Sequence, residues 1–237
     1  MPVIVFASSK GGAGKTTATI VLACELARQA KEKGLNIALI DADPNQHSAA
    51  WAQKDGKPDN IKLFEKVTSE SILEAIEEAQ SKAAFILVDL EGVASSAVIG
   101  AMSRADLVIV PCQASQNDAR EAMKTIKTIK YSSKVSGRNI AYSVLFTRLS
   151  AAIITKTGRH LAADFDSSGV DLFVCSLIDR EAFKSVFSFG GTVNELEVNT
   201  KREQASIEKA AENARVFAGE VKRKLKASIE ERKVVNG

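Results

Sequence analysis

The chain opens MPVIVFASSKGGAGKTT, and this stretch restricts the available folds more than any other. Val3-Ile4-Val5-Phe6 is a continuous apolar run, glycines follow at 11, 12 and 14, and Thr16 to Ala30 carries Ile20, Val21, Cys24 and Ala27 at helical spacing before Gly34. A buried strand, a glycine loop and a helix in that order gather backbone N–H groups and a helix N-terminus around one point, which suits a phosphate. Gly14-Lys15-Thr16 ends the general phosphate-loop pattern G-x-x-x-x-G-K-[ST], although Ser9 stands at its leading glycine. Gly11, Gly12, Ala13, Gly14, Lys15, Thr16 and Thr17 are therefore the candidate nucleotide contacts. Lys15 would neutralise the terminal phosphates of ATP and the Thr16 hydroxyl would ligate Mg2+. Lys10, a second lysine in the same loop, has no place in that pattern.

Apolar runs recur along the chain at Leu35–Asp41, Phe85–Asp89, Asp106–Pro111, Ile140–Phe146 and Val170–Val174, with helical patterns at 69–82, 94–103, 117–134 and 151–166. Alternating strands and helices predict an α/β fold, a parallel twisted sheet flanked by helices on both faces. Residues 1–237 read as a single domain, with 199–237 as a charged C-terminal helical region of one or two helices. No apolar run approaches the ~20 residues of a membrane span, and the N-terminus has no secretory pattern, so a cytoplasmic protein is expected. Cys24, Cys112 and Cys175 have neither CxxC spacing nor an even count, which argues for free thiols. His47 and His160 stand alone and read as surface or cap residues.

Ligands of such sheets bind at the carboxyl ends of the strands. Asp41 and Asp43, in Asp41-Ala42-Asp43-Pro44, end one apolar run and Asp89 ends another, so three carboxylates are expected to converge on the phosphate loop. Asp89 holds the position of a magnesium-binding carboxylate, acting through water.

The segments SSKGGAGKTT, DADP, FILVD, strand-end Pro111 and IDREAF…GGTVNEL together resemble the ParA/MinD superfamily of deviant Walker A ATPases over about Val3 to Leu196. The length, with no helix-turn-helix extension before the first strand, is most similar to the small ParA plasmid partition ATPases. The resemblance implies a P-loop NTPase fold, ATP and Mg2+ as ligands, slow hydrolysis and an ATP-dependent homodimer. It also gives Lys10 a role, since the matching lysine reaches across a nucleotide-sandwich dimer to the partner's phosphates. Such a cation is expected to be desolvated and unpaired within one chain and stabilised across a two-fold interface. By the same resemblance Asp43 positions the attacking water, Asp41 supports metal and loop, Asp89 is the Walker B acid, Arg180 lies near nucleotide and dimer face, and Thr147 and Arg148 sit by adenine. Two departures stand out. Asn45 replaces the usual glutamine, with Gln46 one place later, and Leu90-Glu91-Gly92 follows Asp89, where Glu91 is expected to face solvent. The asparagine is shared with T-DNA transfer accessory ATPases, so a recruitment ATPase serving DNA transfer stays open, as does a nucleotide-dependent scaffold with little hydrolysis.

Charge is uneven. Residues 1–100 hold 10 Lys and Arg against 13 Asp and Glu, so the excess of base lies in the second part of the chain. Arg120, Lys124, Lys127, Lys130 and Lys134 fall within about 120° of a helix, and Lys222, Arg223, Lys224 and Lys226 form a second cluster. Without base-reading aromatics, these suit sequence-independent contact with double-stranded DNA, and the C-terminal cluster is slightly the better candidate. The resemblance adds a nucleoid-associated location and a centromere-binding partner of ParB or ParG type that stimulates hydrolysis. Val221, Leu225 and Ile229 form too narrow an apolar stripe for stable membrane binding.

Overall fold

The computed structural model describes residues 1–92, 96–150 and 156–235. Seven parallel strands form one sheet: β1 Val3–Phe6, β2 Ile37–Ala42, β3 Ile61–Phe64, β4 Phe85–Leu90, β5 Leu107–Cys112, β6 Tyr142–Leu149 and β7 Leu177–Ile178. Their spatial order is β3-β2-β4-β1-β5-β6-β7. β1 lies between β4 and β5, so the chain builds outward from it in both directions, and the crevice beyond its carboxyl end is a topological switch point. The glycine loop begins there.

The central strands are buried on both faces, which is why they read as unbroken apolar runs. Alternate residues feed two separate cores. Ile4 and Phe6 of β1 join Leu39 and Leu87 beneath α1 Lys15–Lys31, α2 His47–Ala52, α7 Glu181–Phe189 and α8 Lys201–Val235. Val3 and Val5 face the opposite core, closed by α3 Ile72–Lys82, α4 Ser96–Arg104, α5 Gln116–Ser136 and α6 Lys156–Ser167.

Two strand expectations need correction. Val170–Val174 forms no strand. Leu172 makes one isolated bridge to Val144, and Glu220 of α8 draws the backbone away by accepting the amides of Val174 and Cys175 at 2.7 and 2.8 Å. The edge position passes to Leu177–Ile178. On the other edge, Ile61-Lys62-Leu63-Phe64 is a strand whose exposed Lys62 interrupts the apolar run that would have announced it. The first residues of the helices expected at 94–103 and 151–166 lie outside the described residues.

α8 is a single helix, and it belongs to the core. Ala210, Ala214, Phe217, Val221 and Leu225 are buried in the same core as α1, and Phe217 meets Phe173 edge-on at 5.7 Å between ring centroids. Further along, Ser228 and Arg232 bind Asp106, whose other carboxylate oxygen accepts the amide of Val3. The narrow stripe on this helix thus spends Val221 and Leu225 internally and leaves Ile229 exposed. Among the described residues no helix is long and apolar enough to cross a membrane. Replacing Phe217 by Ala should lower the unfolding free energy by about 3–5 kcal/mol, whereas Ile229→Ala should change it by no more than about 0.5 kcal/mol. Chemical denaturation checks both, and equal effects would contradict the packing of α8.

Candidate phosphate-loop site

The glycine loop is held from outside. Gly12 and Gly14 adopt φ of 75° and 96°, a region open to glycine at little cost. At Gly14 a side chain would also press on Thr147, 3.3 Å away. Ser9 explains the missing first glycine: its hydroxyl bonds Glu121 Oε2 at 2.7 Å and the Glu121 carbonyl at 2.9 Å, and its amide donates to Thr125 Oγ1 at 3.0 Å. Gln113 donates to the Gly12 carbonyl and Thr147 to that of Ala13. These contacts occupy the carbonyls of Gly12 and Ala13 and hold the loop in place. Lys15 is buried as the first residue of α1, with Thr16 and Thr17 half-buried after it.

The three strand-end carboxylates have distinct environments, and Asp89 is the one that lies by Thr16 and Lys15. Asp89 at the end of β4 is fully buried; its Oδ2 accepts the Ser48 hydroxyl at 2.8 Å, and its Oδ1 has no partner among the described residues. Burial pushes its carboxyl up to about 7, against the opposing influence of Ser48, Thr16 and Lys15. A buried carboxylate oxygen without a donor is the natural ligand of a cation or its water, and the Thr16 hydroxyl lies close by, so the donor set fits Mg2+. Asp41 is also buried, but its oxygens accept the amides of Asp43 at 3.1 Å and Ala49 at 2.8 Å. Burial raises its carboxyl, and the amides work against that rise. Its bonds shape the turn between β2 and α2. Asp43 accepts both the amide and the side chain of Asn45 on Oδ1, each at 2.9 Å. Asn45 therefore orients Asp43, while Gln46, at φ 52°, braces the turn between the Asp43 carbonyl and the Lys66 amide. Glu91 faces solvent.

Lys10 departs from expectation. Its side chain is 41% exposed, and its ammonium bonds Asp118 Oδ2 at 2.8 Å. The cation is thus neither desolvated nor unpaired within one chain, because α5 brings a buried carboxylate to it. Burial would raise the Asp118 carboxyl, but Lys10 and Ser115 together hold it below its ordinary range.

A cavity of about 430 Å3 opens beside Gly14 and Thr17, walled by Thr147, Arg148, Arg180 and Phe183. Thr147 lines this cavity and donates its hydroxyl to the Ala13 carbonyl. Arg180 has a buried Nε without a partner among the described residues.

Against this geometry, a family model described as VirC1 protein matches residues 1–231. The chain belongs to that family. Protein ParA of Rhizobium radiobacter is 37% identical over 97% of this chain and all of that protein, and protein virC1 of the same organism is 25% identical over 78% of this chain and 80% of its own length. The McdA(D38A)–ATP complex of Cyanothece shares the fold, with a TM-score of 0.72 at 14% identity over 93% of this chain and 96% of that one. The chain is a member of the ParA/MinD superfamily, close to its ParA-type branch.

The two basic candidates differ in their surroundings. Lys224 is only 15% exposed: it bonds Asp171 at 2.6 Å and the Leu172 carbonyl at 3.0 Å and lies 5.0 Å from the centre of the Phe173 ring. Lys222 donates to Gln29, Arg223 is 3.3 Å from Glu220, and Lys226 is 3.9 Å from Glu230. On α5, Lys124 pairs with Glu121, while Arg120, Lys127, Lys130 and Lys134 are exposed without an ion pair among the described residues. Sequence reading missed Ser48, Asp118, Glu121 and Thr125. Ser9, in place of the leading glycine, was the only local sign of the last two. Ser48→Ala should weaken the Mg2+-dependent part of ATP binding by about tenfold and leave Mg2+-free binding within about twofold. Titration with a fluorescent ATP analogue, with and without Mg2+, checks this; equal loss in both would make Ser48 a folding residue only.

Proposed function

We propose that this protein is a weak Mg2+-dependent ATPase that works as a nucleotide-controlled switch: ATP joins two copies, the dimer binds DNA phosphates without sequence preference, and hydrolysis resets it. The observation that carries this reading is a braced glycine loop ending in buried Lys15, close to a buried Asp89 that has one oxygen without a partner among the described residues. Lys15 and the loop amides would hold the phosphates, and Thr16 and Asp89 would hold Mg2+, which supplies charge neutralisation at the β- and γ-oxygens. Asp43, fixed through Oδ1 by Asn45, is oriented to position the attacking water. Lys10 would exchange Asp118 for the phosphates of the second copy, a trade of one anion for another that requires ATP and so ties dimerisation to nucleotide state.

For DNA contact, Arg120, Lys127 and Lys130, exposed and without an ion pair among the described residues, favour α5 over the C-terminal cluster, where Lys224 is held by Asp171 and the Leu172 carbonyl. One copy offers few phosphate contacts and the dimer twice as many, so affinity should appear with ATP and fall with salt. A partition role, with a centromere-binding partner that stimulates hydrolysis and a nucleoid-associated location, follows the likeness to protein ParA. The match to the VirC1 model favours a second reading, in which the same switch recruits components for DNA transfer.

Lys15→Ala should abolish ATP binding. Lys10→Ala should retain binding within a fewfold and lose the ATP-dependent dimer in light scattering; equal loss of binding in both would remove the cross-dimer role. Fluorescence anisotropy with a random-sequence duplex should show binding with Mg·ATP and not with Mg·ADP. Arg120→Gln/Lys127→Gln should flatten its salt slope by about one for each phosphate no longer neutralised. Binding that ignores nucleotide would overturn the switch.

A further inference from the structure

A second cavity, about 640 Å3, shares no residue with the one beside Gly14. α7, the 190–199 segment, the start of α8 and the turn after α2 form its walls. Five carboxylates line it, from Asp55, Glu181, Glu195, Glu197 and Glu203, and no lysine, arginine or histidine does. In a chain of net charge +3 this is a marked separation of charge. Only Glu181 has a cation within ion-pair distance among the described residues, Lys184 at 3.7 Å. Glu195 accepts the amide of Thr192 and Glu203 those of Asn199 and Thr200, which fixes their positions and leaves their charge in place. Between the acids the wall is apolar: Phe189 is 77% exposed, with half-buried Leu196 and Ile207 beside it.

We propose that this groove receives a lysine- or arginine-bearing segment of another protein, with an apolar side chain seated on Phe189. Nucleic acid and acidic segments are repelled by the five carboxylates. A cationic chain gains from them, and the exposed ring supplies the desolvated contact that charge alone does not.

The groove also has a mechanical connection to the phosphate site. Two backbone segments cross at its wall with no room between them: a Cβ on Gly190 would lie 2.5 Å from the Asp55 carbonyl oxygen, and one on Gly56 would lie 2.9 Å from Gly191 Cα. Trp51 donates to the Gly191 carbonyl at 3.1 Å and Lys54 to that of Ser188 at 3.1 Å. Both belong to α2 or the turn it enters, and that helix begins with Ser48 on Asp89 and Ala49 on Asp41. A segment bound in the groove therefore bears on the helix that positions the site carboxylates. This consequence for hydrolysis rests on the ATPase reading above, whereas binding itself does not.

The test uses the full chain without nucleotide and a fluorescein-labelled peptide of about a dozen residues, containing lysines and leucines in a glycine-serine background and so able to present both kinds of contact. A matching peptide has glutamates in place of the lysines. The lysine peptide should bind saturably, the glutamate peptide should not, and Trp51, the only tryptophan, should change its emission on saturation. Glu181→Gln/Glu197→Gln should weaken binding by about tenfold or more and Phe189→Ser by several-fold, while Glu230→Gln/Glu231→Gln, outside the groove, should leave it unchanged. Equal affinity in the groove and control variants would overturn the proposal. So would absence of saturable binding, or competition by the random-sequence duplex or by spermidine at the affinity of the peptide. Since none of these readouts needs ATP, loss of the ATP-dependent dimer would leave them standing. Stimulation of hydrolysis by the peptide, absent in Glu181→Gln/Glu197→Gln, then tests the mechanical link.

Discussion

A loop whose amides point at an anion has few hydrogen bonds of its own to keep its shape. This one depends on donors and acceptors from distant segments, and the bond between Ser9 and Glu121 is the clearest case. Thr125 of the same helix, α5, accepts the Ser9 amide, and Asp118 takes the ammonium of Lys10. The same helix carries Arg120, Lys127 and Lys130 toward solvent. A single helix thus contacts the phosphate loop on one side and carries exposed basic residues on another.

The carboxylates show the cost of building such a site. Asp41 and Asp89 lie next to each other in paired strands, in register, and neither is exposed. Burying two like charges opposes folding, and the raised Asp89 carboxyl reports that opposition. Part of it is offset by Lys15, by the Ser48 hydroxyl and by the amides on Asp41. What is left over is a site that gains when a cation arrives. Stability is sacrificed locally for a position prepared to bind.

Much of the fold was legible because parallel strands buried on both faces leave continuous apolar runs, and glycines in left-handed conformations leave gaps that no other residue fills well. The central strands and the phosphate loop carry both marks. Edge elements carry neither: Ile61–Phe64 is interrupted by Lys62, and Val170–Val174 has the right composition but pairs only around Val144 before the Val174 amide turns to Glu220. Asn45 looked like a flaw in a motif and proves to be the residue that orients Asp43. Lys224 looked like one more surface cation and is held over an aromatic ring. In each case the deciding partner lies dozens of positions away, or in a turn whose geometry depends on such a partner.

By itself the sequence determined the architecture, the phosphate loop and the strand ends on which the acids sit, since these depend on local periodicity and on what a backbone needs in order to surround an anion. Tertiary structure alone decided that Lys10 rests on Asp118, that α8 completes a core, that Ser48 holds Asp89, and that five carboxylates gather around Phe189. Those outcomes depend on which segments the sheet order and the crossing of chains bring together, and pairing over such separations leaves no periodic trace in the residues involved.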